Sequence, residues 1–225
     1  MGGAVLTEYI QNFKKFRPLL NELIARDIKI KYRKSVLGVL WTLLNPLFMM
    51  IVLSVVFSNL FKFDVENFPV YLLSGQLIFN FFSESTTNAM SAILANGSLI
   101  KKIYVPKYLF VLSRVFSSTI NLLASFTAMV CVMLAMRVDL HYTVLLVPIP
   151  LLFIVMFSLG VGLLLSALTV KFRDIMHLYS VFVTALMYLT PVIYPMSILT
   201  MWLKPIVTLN PIKNILEMFR AVMLY

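Results

Sequence analysis

The stretch RDIKIKYRKSVLGVLWTLLNPLFMM, residues 26–50, joins a dense run of basic residues to an almost uncharged apolar run. The lysines and arginines stop at Lys34, and the apolar run that follows is long enough to begin a bilayer crossing. Basic residues beside an apolar helix hold that end of the helix at the cytoplasmic face of a membrane. The stretch therefore predicts the first membrane-spanning helix of an integral membrane protein.

The composition of the whole chain also indicates a membrane protein. Hydrophobic residues make up 61% of the 225 residues, charged residues make up 12%, and the mean hydropathy is +0.95. Soluble domains are nearer about 45–50% apolar. The net charge of +10 would suit nucleic acid, but the basic residues stand at the ends of apolar runs, as they do in membrane proteins. We therefore predict contact with membrane lipids and no binding of nucleic acid.

Five apolar segments are long enough to cross a bilayer as helices. They cover about 36–61, 69–94, 107–136, 142–169 and 175–195. With the N-terminus inside, most of the 19 lysines and arginines lie in cytoplasmic segments. The sequence thus predicts an all-α polytopic membrane protein, with a cytoplasmic segment at 1–34, a transmembrane domain at 35–225 and a cytoplasmic N-terminus.

The cytoplasmic segment contains an amphipathic pattern. Leu20, Ile24 and Ile28 recur every four residues, as they would on one face of a helix, and Pro18 suits the first turn of that helix. One interpretation is an interface helix that lies on the inner membrane surface. The other is a soluble helix that packs against another structure.

The segment after the fifth apolar run is interrupted by Pro191, Pro195, Pro205 and Pro211. The pieces between these prolines are too short to span a bilayer. We predict two short helices that re-enter the outer face. Because irregular backbone at membrane depth is tolerated where it is buried in protein or lines a wet cavity, these pieces are candidates for the rim of a pathway. The alternative is an ordinary loop outside the membrane.

The second predicted span carries a polar stripe, in which Gln76, Asn80, Glu84 and Asn88 follow at strict four-residue intervals. This spacing places the four side chains on one face of a helix. The stripe either joins helices by hydrogen bonds or lines a polar pathway. A carboxylate inside a membrane needs a partner, and Arg114 lies at a similar depth on the next span of the hairpin. We therefore predict a Glu84–Arg114 ion pair.

The fourth predicted span carries small residues at the same spacing. Ser158, Gly162 and Ser166 follow one another every four residues. Small side chains in such a row let a neighbouring helix approach closely. The row therefore predicts tight helix packing and has little chemical content.

The sequence contains no catalytic signature. It has no Gly-rich phosphate-binding loop with Lys and Ser or Thr, no nucleophile elbow and no pair of histidines at metal spacing. His141 and His177 fall on opposite sides of the membrane in the predicted topology. We predict that the chain is not an enzyme and that it binds neither a metal nor a cofactor.

Five separated stretches resemble a known family. They are RDIKIKYRKSVLGVLWTLLNPLFMMIVLSVVFSNLF, LIKKIYVPKYLFVLSR, LLLSALTVKFRDI, LTPVIYP and NPIKNILEMFRAVMLY. Together they resemble the permease subunits of ABC-2 type exporters, and are most similar to the branch that exports lipid-linked polysaccharides, O-antigens and teichoic acids. The resemblance runs from about Leu19 to Tyr225 and keeps the order of the motifs.

The resemblance implies a transport subunit. It implies a homodimer in the bacterial inner membrane, two copies of a separate ABC ATPase subunit that binds ATP and Mg²⁺, and a lipid-linked glycan as substrate. In such permeases the short outer helices, which match residues 196–225 here, form an outer gate. The surface helix before the first crossing and the short helix after the second contact the ATPase. The matching residues here are Arg26, Asp27, Asn96, Lys101, Lys102, Tyr104, Pro106 and Lys107.

Aromatic side chains are candidates for the wall of a glycan pathway, because the C–H faces of sugar rings stack on aromatic rings. Aromatic residues in membrane helices also face lipid or pack against one another, so both interpretations stay open. The candidate pathway residues are Trp41, Phe48, Phe182, Tyr188 and Tyr194, beside the polar Gln76, Asn80, Glu84 and Asn88.

In one respect the chain departs from the family pattern. Family members have a sixth crossing that returns the C-terminus to the cytoplasm, and residues up to Tyr225 do not include it. We expect either a truncated sequence or a dimer that works without that helix.

Two other functions are compatible with the residues. A drug or small-lipid exporter would share the architecture, whereas a membrane enzyme acting on lipid-linked sugars would need a convergent cluster of His, Asp or Glu.

Overall fold

The computed structural model describes residues 2–32, 38, 40–60, 67–138 and 142–224. Within these ranges the chain forms nine α-helices, two 3-10 turns and no β-strand. The helices are α1 (Gly2–Tyr32), α2 (Leu40–Leu60), α3 (Phe68–Ala95), α4 (Gly97–Ile100), α5 (Tyr108–Ala135), α6 (Pro148–Lys171), α7 (Ile175–Leu189), α8 (Leu203–Thr208) and α9 (Pro211–Leu224). The 3-10 turns are Tyr142–Leu146 and Met196–Ile198.

Proline marks the beginning of three of these helices. Pro69, Pro148 and Pro211 lie in the first turn of α3, α6 and α9, where an absent N–H costs nothing. Asn210 caps α9, because its Oδ1 accepts a hydrogen bond from the N–H of Ile212 at 3.0 Å. Nδ2 of Asn210 donates to Oγ1 of Thr190 at 2.9 Å. This cap ties the beginning of α9 to the end of α7.

Helix α3 is the centre of the fold. It packs against α5 and α6 along most of its length, and it also contacts α2, α7 and α9. Ile78 of α3, Ile154 of α6, and Leu216 and Phe219 of α9 are fully buried in one apolar cluster. The side chains of α3 that point away from this cluster are therefore held at fixed positions.

The small residues of α6 lie where this helix meets α3. Ser158, Gly162 and Ser166 are buried. A Cβ added at Gly162 would lie 2.7 Å from Cβ of Ala89, which is too close for any side chain without a shift. The predicted close approach of a neighbouring helix is confirmed, and that neighbour is α3.

One face of α1 packs against the chain itself. Leu20 and Leu23 are buried in a second apolar cluster that includes Leu109 and Phe110 of α5. The expectation that Pro18 lies in the first turn is wrong, because α1 begins at Gly2 and has Pro18 inside it. Pro18 is exposed, so water can satisfy the carbonyl that loses its intrahelical partner.

Two helical stretches within the described ranges are long and apolar enough to cross a membrane. They are Tyr108–Ala135 and Tyr142–Lys171, and shorter apolar helical stretches occur at Leu43–Leu53 and Ile175–Leu189. Helix α3 is as long as α5, but the polar stripe lowers its hydropathy. The arrangement in five crossings stays a prediction. The segment for which the prolines predict two short helices contains α8 and α9.

Candidate functional site

A cavity of about 820 Å³ lies between α2, α3 and α5. We call it the cleft. Helix α3 lines it with Asn80, Ser83, Glu84, Thr87 and Asn88, α5 with Ser118, Asn121 and Ser125, and α2 with Trp41 and Asn45. From Asn80 to Asn88, the polar stripe of α3 therefore faces an open space, while most other side chains of that helix are buried.

A second cavity of about 430 Å³ lies at the end of α1. We call it the inner cavity. It is lined by Asp27 and Lys31 of α1, Glu84 and Asn88 of α3, and Arg114, Ser118 and Asn121 of α5. Lys31, Glu84, Asn88, Ser118 and Asn121 line both cavities. The two spaces therefore adjoin where these five side chains meet.

The Glu84 carboxylate forms the polar centre of this junction. Nζ of Lys31 donates to Oε1 of Glu84 at 2.6 Å, and Nδ2 of Asn121 donates to the same oxygen at 3.1 Å. The side chains of Lys31 and Glu84 are 43% and 38% exposed. This ion pair is therefore within reach of water.

The predicted Glu84–Arg114 ion pair is wrong. Nε of Arg114 instead lies 3.4 Å from Oδ2 of Asp27, and Glu84 pairs with Lys31. Both residues line the inner cavity, so the predicted similarity in depth is correct. The pairing differs because α1 supplies a residue of opposite charge to each of them. The prediction compares only α3 with α5 and therefore cannot include the charged residues of α1.

Asp27 is the buried anchor of α1. Its Oδ1 accepts hydrogen bonds from Nε and Nη2 of the adjacent Arg26, at 3.3 and 3.0 Å. Its Oδ2 accepts one from Oγ of Ser113 at 3.4 Å. Nε of Arg114 is close enough for an ion pair but makes no hydrogen bond within the described part of the chain. The resemblance implies that Arg26 and Asp27 contact an ATPase, but the structure directs the Asp27 carboxylate towards α5, inside the chain.

The other candidate coupling residues lie at the turn between α3 and α5. Tyr104 is 91% exposed, and the exposed side chains of Lys101, Lys102 and Lys107 surround it in sequence. Pro106 is partly buried and Asn96 is buried. Nδ2 of Asn96 donates to the carbonyl of Ala92 at 2.8 Å, and its own carbonyl accepts from Leu99 and Ile100 at the beginning of α4. Asn96 therefore shapes the turn, whereas Tyr104 projects from it.

Five of the candidate pathway residues do not line the cleft. Gln76 is buried, and its Oε1 has no hydrogen-bond partner among the described residues. Phe48 of α2 and Phe182 and Tyr188 of α7 are exposed on the helix surface. Tyr194 is partly buried beyond the end of α7, where its hydroxyl donates to the carbonyl of Tyr188 at 2.6 Å. The structure brings Trp41, Asn80, Glu84 and Asn88 together at the cleft.

Three polar residues of α5 complete the cleft and were not singled out from the sequence. Ser118, Asn121 and Ser125 are separated by three and four residues, so they share one helical face. The same spacing identified the stripe on α3. A search of α5 for this pattern would have found them.

Arg220 of α9 was also not singled out from the sequence, because no local pattern marks an arginine in the predicted outer segment as buried. It is 5% exposed. Its guanidinium donates to the carbonyls of Tyr71, Pro191 and Val192 at 3.1, 2.7 and 3.1 Å and to Oγ of Ser74 at 3.0 Å. It also stacks 3.4 Å from the centre of the Tyr71 ring. One side chain thus joins α3, α9 and the segment after α7.

Two apolar helical stretches are long enough to span a membrane, and one of them, α5, lines the cleft, which is the composition expected of a helical membrane protein. Among the described residues no group of His, Cys, Asp or Glu is placed to hold a metal ion. The family model for ABC-2 type transporters matches residues 18–224. The chain belongs to the ABC-2 type transporter family.

Several characterised relatives align with almost the whole chain. An O-antigen export system permease protein of Myxococcus xanthus is 30% identical over 215 residues, which cover 95% of this chain and 83% of the relative. A protein of the same description from Klebsiella pneumoniae is 27% identical, over 90% of this chain and 78% of the relative. A capsule polysaccharide export inner-membrane protein of Neisseria meningitidis is 23% identical, over 96% of this chain and 82% of the relative.

Proposed function

We propose that this chain is the transmembrane permease subunit of an ATP-driven exporter, which moves a lipid-linked polysaccharide outward across the bacterial inner membrane. One observation carries the proposal. The chain belongs to the ABC-2 family over residues 18–224, and relatives named for O-antigen or capsule polysaccharide export align with 90–96% of it. A lipid-linked teichoic acid, which is a hydroxyl-bearing polymer of polyol phosphates, is the alternative substrate.

The lining of the cleft supports a polymer rich in hydroxyl groups. Asn80, Glu84 and Asn88 offer amide and carboxylate groups that bind sugar hydroxyls, and Trp41 offers an aromatic face for a sugar ring. Apolar side chains, among them Leu73, Leu77 and Met129, also line the cleft, but an apolar drug or small lipid would leave the polar groups without new hydrogen bonds. We assign these four residues to the pathway of the glycan.

The turn between α3 and α5 supports a separate ATPase subunit as partner. Tyr104 offers an exposed aromatic anchor among the basic residues Lys101, Lys102 and Lys107, and such a side chain is typical of the centre of an interface. The chain has no phosphate-binding loop of its own, so ATP and Mg²⁺ bind to the partner. The functional unit is a homodimer of this chain with two ATPase subunits, and the N-terminus and the α3–α5 turn face the cytoplasm.

Purification from native membranes tests this assignment. An affinity-tagged chain, extracted in mild detergent, should bring down an ABC ATPase in a one-to-one ratio. The complex should hydrolyse ATP, and the chain stripped of its partner should not. ATP hydrolysis by the isolated chain, or a membrane complex without an ATPase, would contradict the proposal.

A further inference from the structure

The cleft and the inner cavity follow one another along α5. The residues of α5 that line them run from Arg114 in the inner cavity to Met129 in the cleft. The polar ones run from Arg114 to Ser125, and at 1.5 Å per residue this is a polar track of roughly 16 Å, about half of the thickness of the hydrocarbon core of a bilayer. Arg114 is the end nearer to the α3–α5 turn, so the inner cavity lies towards the face proposed as cytoplasmic.

The junction of the two cavities is occupied by Lys31. Its ammonium group reaches from the last turn of α1 to Oε1 of Glu84, at 2.6 Å. Lys31 is one helical turn after Asp27, so both side chains lie on the same face of α1. In addition to the apolar packing of Leu20 and Leu23, these two side chains attach α1 to α5 through Asp27 and to α3 through Lys31.

The two attachments differ in strength. The side chain of Asp27 is 2% exposed and meets α5 at Oγ of Ser113 and Nε of Arg114, both at 3.4 Å, and a buried carboxylate is costly to separate from such partners. The Lys31–Glu84 pair is about two-fifths exposed, and ion pairs in contact with water contribute little. A movement of α1 therefore breaks the Lys31 contact first and leaves the Asp27 anchor in place.

We propose that the Lys31–Glu84 ion pair closes the cleft at its inner end, and that a shift of the last turn of α1 opens it. Lys31 is then a positioning residue that couples α1 to the pathway, and Asn121 keeps Glu84 in place when the lysine leaves. This inference rests on the proposed function and on the contact between α1 and the ATPase that the family resemblance implies. It adds the residue through which a movement of α1 reaches the glycan pathway.

Thiol labelling measures this closure without any transport. Asn80→Cys places a thiol in the cleft beyond Glu84, in a chain whose exposed Cys131 is replaced by Ala. In inside-out vesicles, membrane-impermeant reagents reach it from the cytoplasmic side. Lys31→Met should speed the labelling roughly fivefold, because the loss of an exposed ion pair shifts the equilibrium between closed and open states by about that factor. Lys29→Met is the matched control, because this exposed lysine of α1 has no ion pair within the described residues.

Two reagents of opposite charge separate closure from electrostatics. If Lys31→Met opens the cleft, both a cationic and an anionic thiol reagent react faster. If the loss of a positive charge changes only the local potential, the cationic reagent reacts faster and the anionic one more slowly. A combined Lys31→Glu and Glu84→Lys exchange should return both rates towards the starting values.

Three results would overturn the inference. They are equal rates for Lys31→Met and Lys29→Met, opposite changes with the two reagents, or no recovery in the exchanged pair. Because the assay needs neither a glycan nor an ATPase, its outcome is independent of the export measurement that tests the proposed function.

Discussion

The guanidinium of Arg220 is enclosed by oxygen atoms from α3 and from the segment after α7, and it lies against the ring of Tyr71. Hydrogen bonds to a charged group contribute about 1.5–3 kcal/mol each, and buried acceptors that lose their donor are costly. A lysine cannot replace this side chain, since its ammonium lacks the planar fork that reaches several carbonyls at once. Arg220 therefore holds α9, the first turns of α3 and the segment after α7 in one arrangement.

Because Gly75 has no side chain, Arg220 and the carbonyl of Val192 can lie directly against the backbone of α3. A Cβ at Gly75 would lie 2.8 Å from Nη2 of Arg220 and 2.8 Å from the carbonyl oxygen of Val192. Gly75→Ala should therefore lower the unfolding temperature of the purified protein, because overpacking costs about 1–3 kcal/mol. Thermal unfolding in detergent measures the effect.

Gly160→Ala is the control for this prediction. A Cβ at Gly160 meets nothing within 4 Å among the described residues. Alanine is favoured over glycine inside a helix by about 0.5–1 kcal/mol, so this variant should be as stable as the original protein or slightly more stable. Equal stability of the Gly75→Ala and Gly160→Ala proteins would show that Arg220 does not need the space above Gly75.

Single residues show where sequence reasoning succeeds and where it fails. The four-residue spacing of Asn80, Glu84 and Asn88 follows from helical geometry alone, and the structure places all three on the cleft. The partner of Glu84 depends on which helix comes near in three dimensions. Lys31, which is 53 residues away in sequence, carries no local signal of that contact.

At the scale of elements, the turn between α3 and α5 gives the sharpest prediction. The side chain of Tyr104 is 91% exposed, so it contributes little to the fold, and its aromatic ring is available to a partner. Tyr104→Ala should leave the amount of protein in the membrane unchanged. It should weaken co-purification of the ATPase by about tenfold or more, because a central interface residue contributes at least about 2 kcal/mol.

Tyr142→Ala provides the control for the turn. Tyr142 is fully exposed at the other end of the α5–α6 hairpin, on the face that the predicted topology places outside. The same change of side chain there should not affect ATPase binding. Unchanged co-purification in the Tyr104→Ala protein, at normal levels, would remove Tyr104 from the proposed interface.

The elements also show what periodicity can and cannot predict. The small-residue row of α6 predicts a close neighbour, but the identity of that neighbour comes from the packing of Gly162 against Ala89. The apolar face of α1 follows from the sequence, yet its beginning does not. Pro18 is a signal for a helix start, and here the helix continues through it.

On the scale of the whole molecule, this member of the ABC-2 type transporter family contains a cleft with a polar wall. The cleft lies beside the central helix α3, whose other faces are packed against α5, α6 and α9. Helix α1 and the α3–α5 turn lie on the side of the inner cavity. Both proposed ATPase contacts are therefore near the inner end of the proposed pathway, which is the arrangement that transmission of a movement requires.

The amount of surface polysaccharide in a strain that lacks the gene for this chain tests the assignment as a polysaccharide export permease. We expect the polymer to disappear from the cell surface and its lipid-linked form to accumulate inside. Both changes should be reversed when the gene is restored beside an intact ATPase, and not when that ATPase is inactivated. A deletion strain with normal surface polysaccharide and no internal accumulation would contradict the assignment as a polysaccharide export permease.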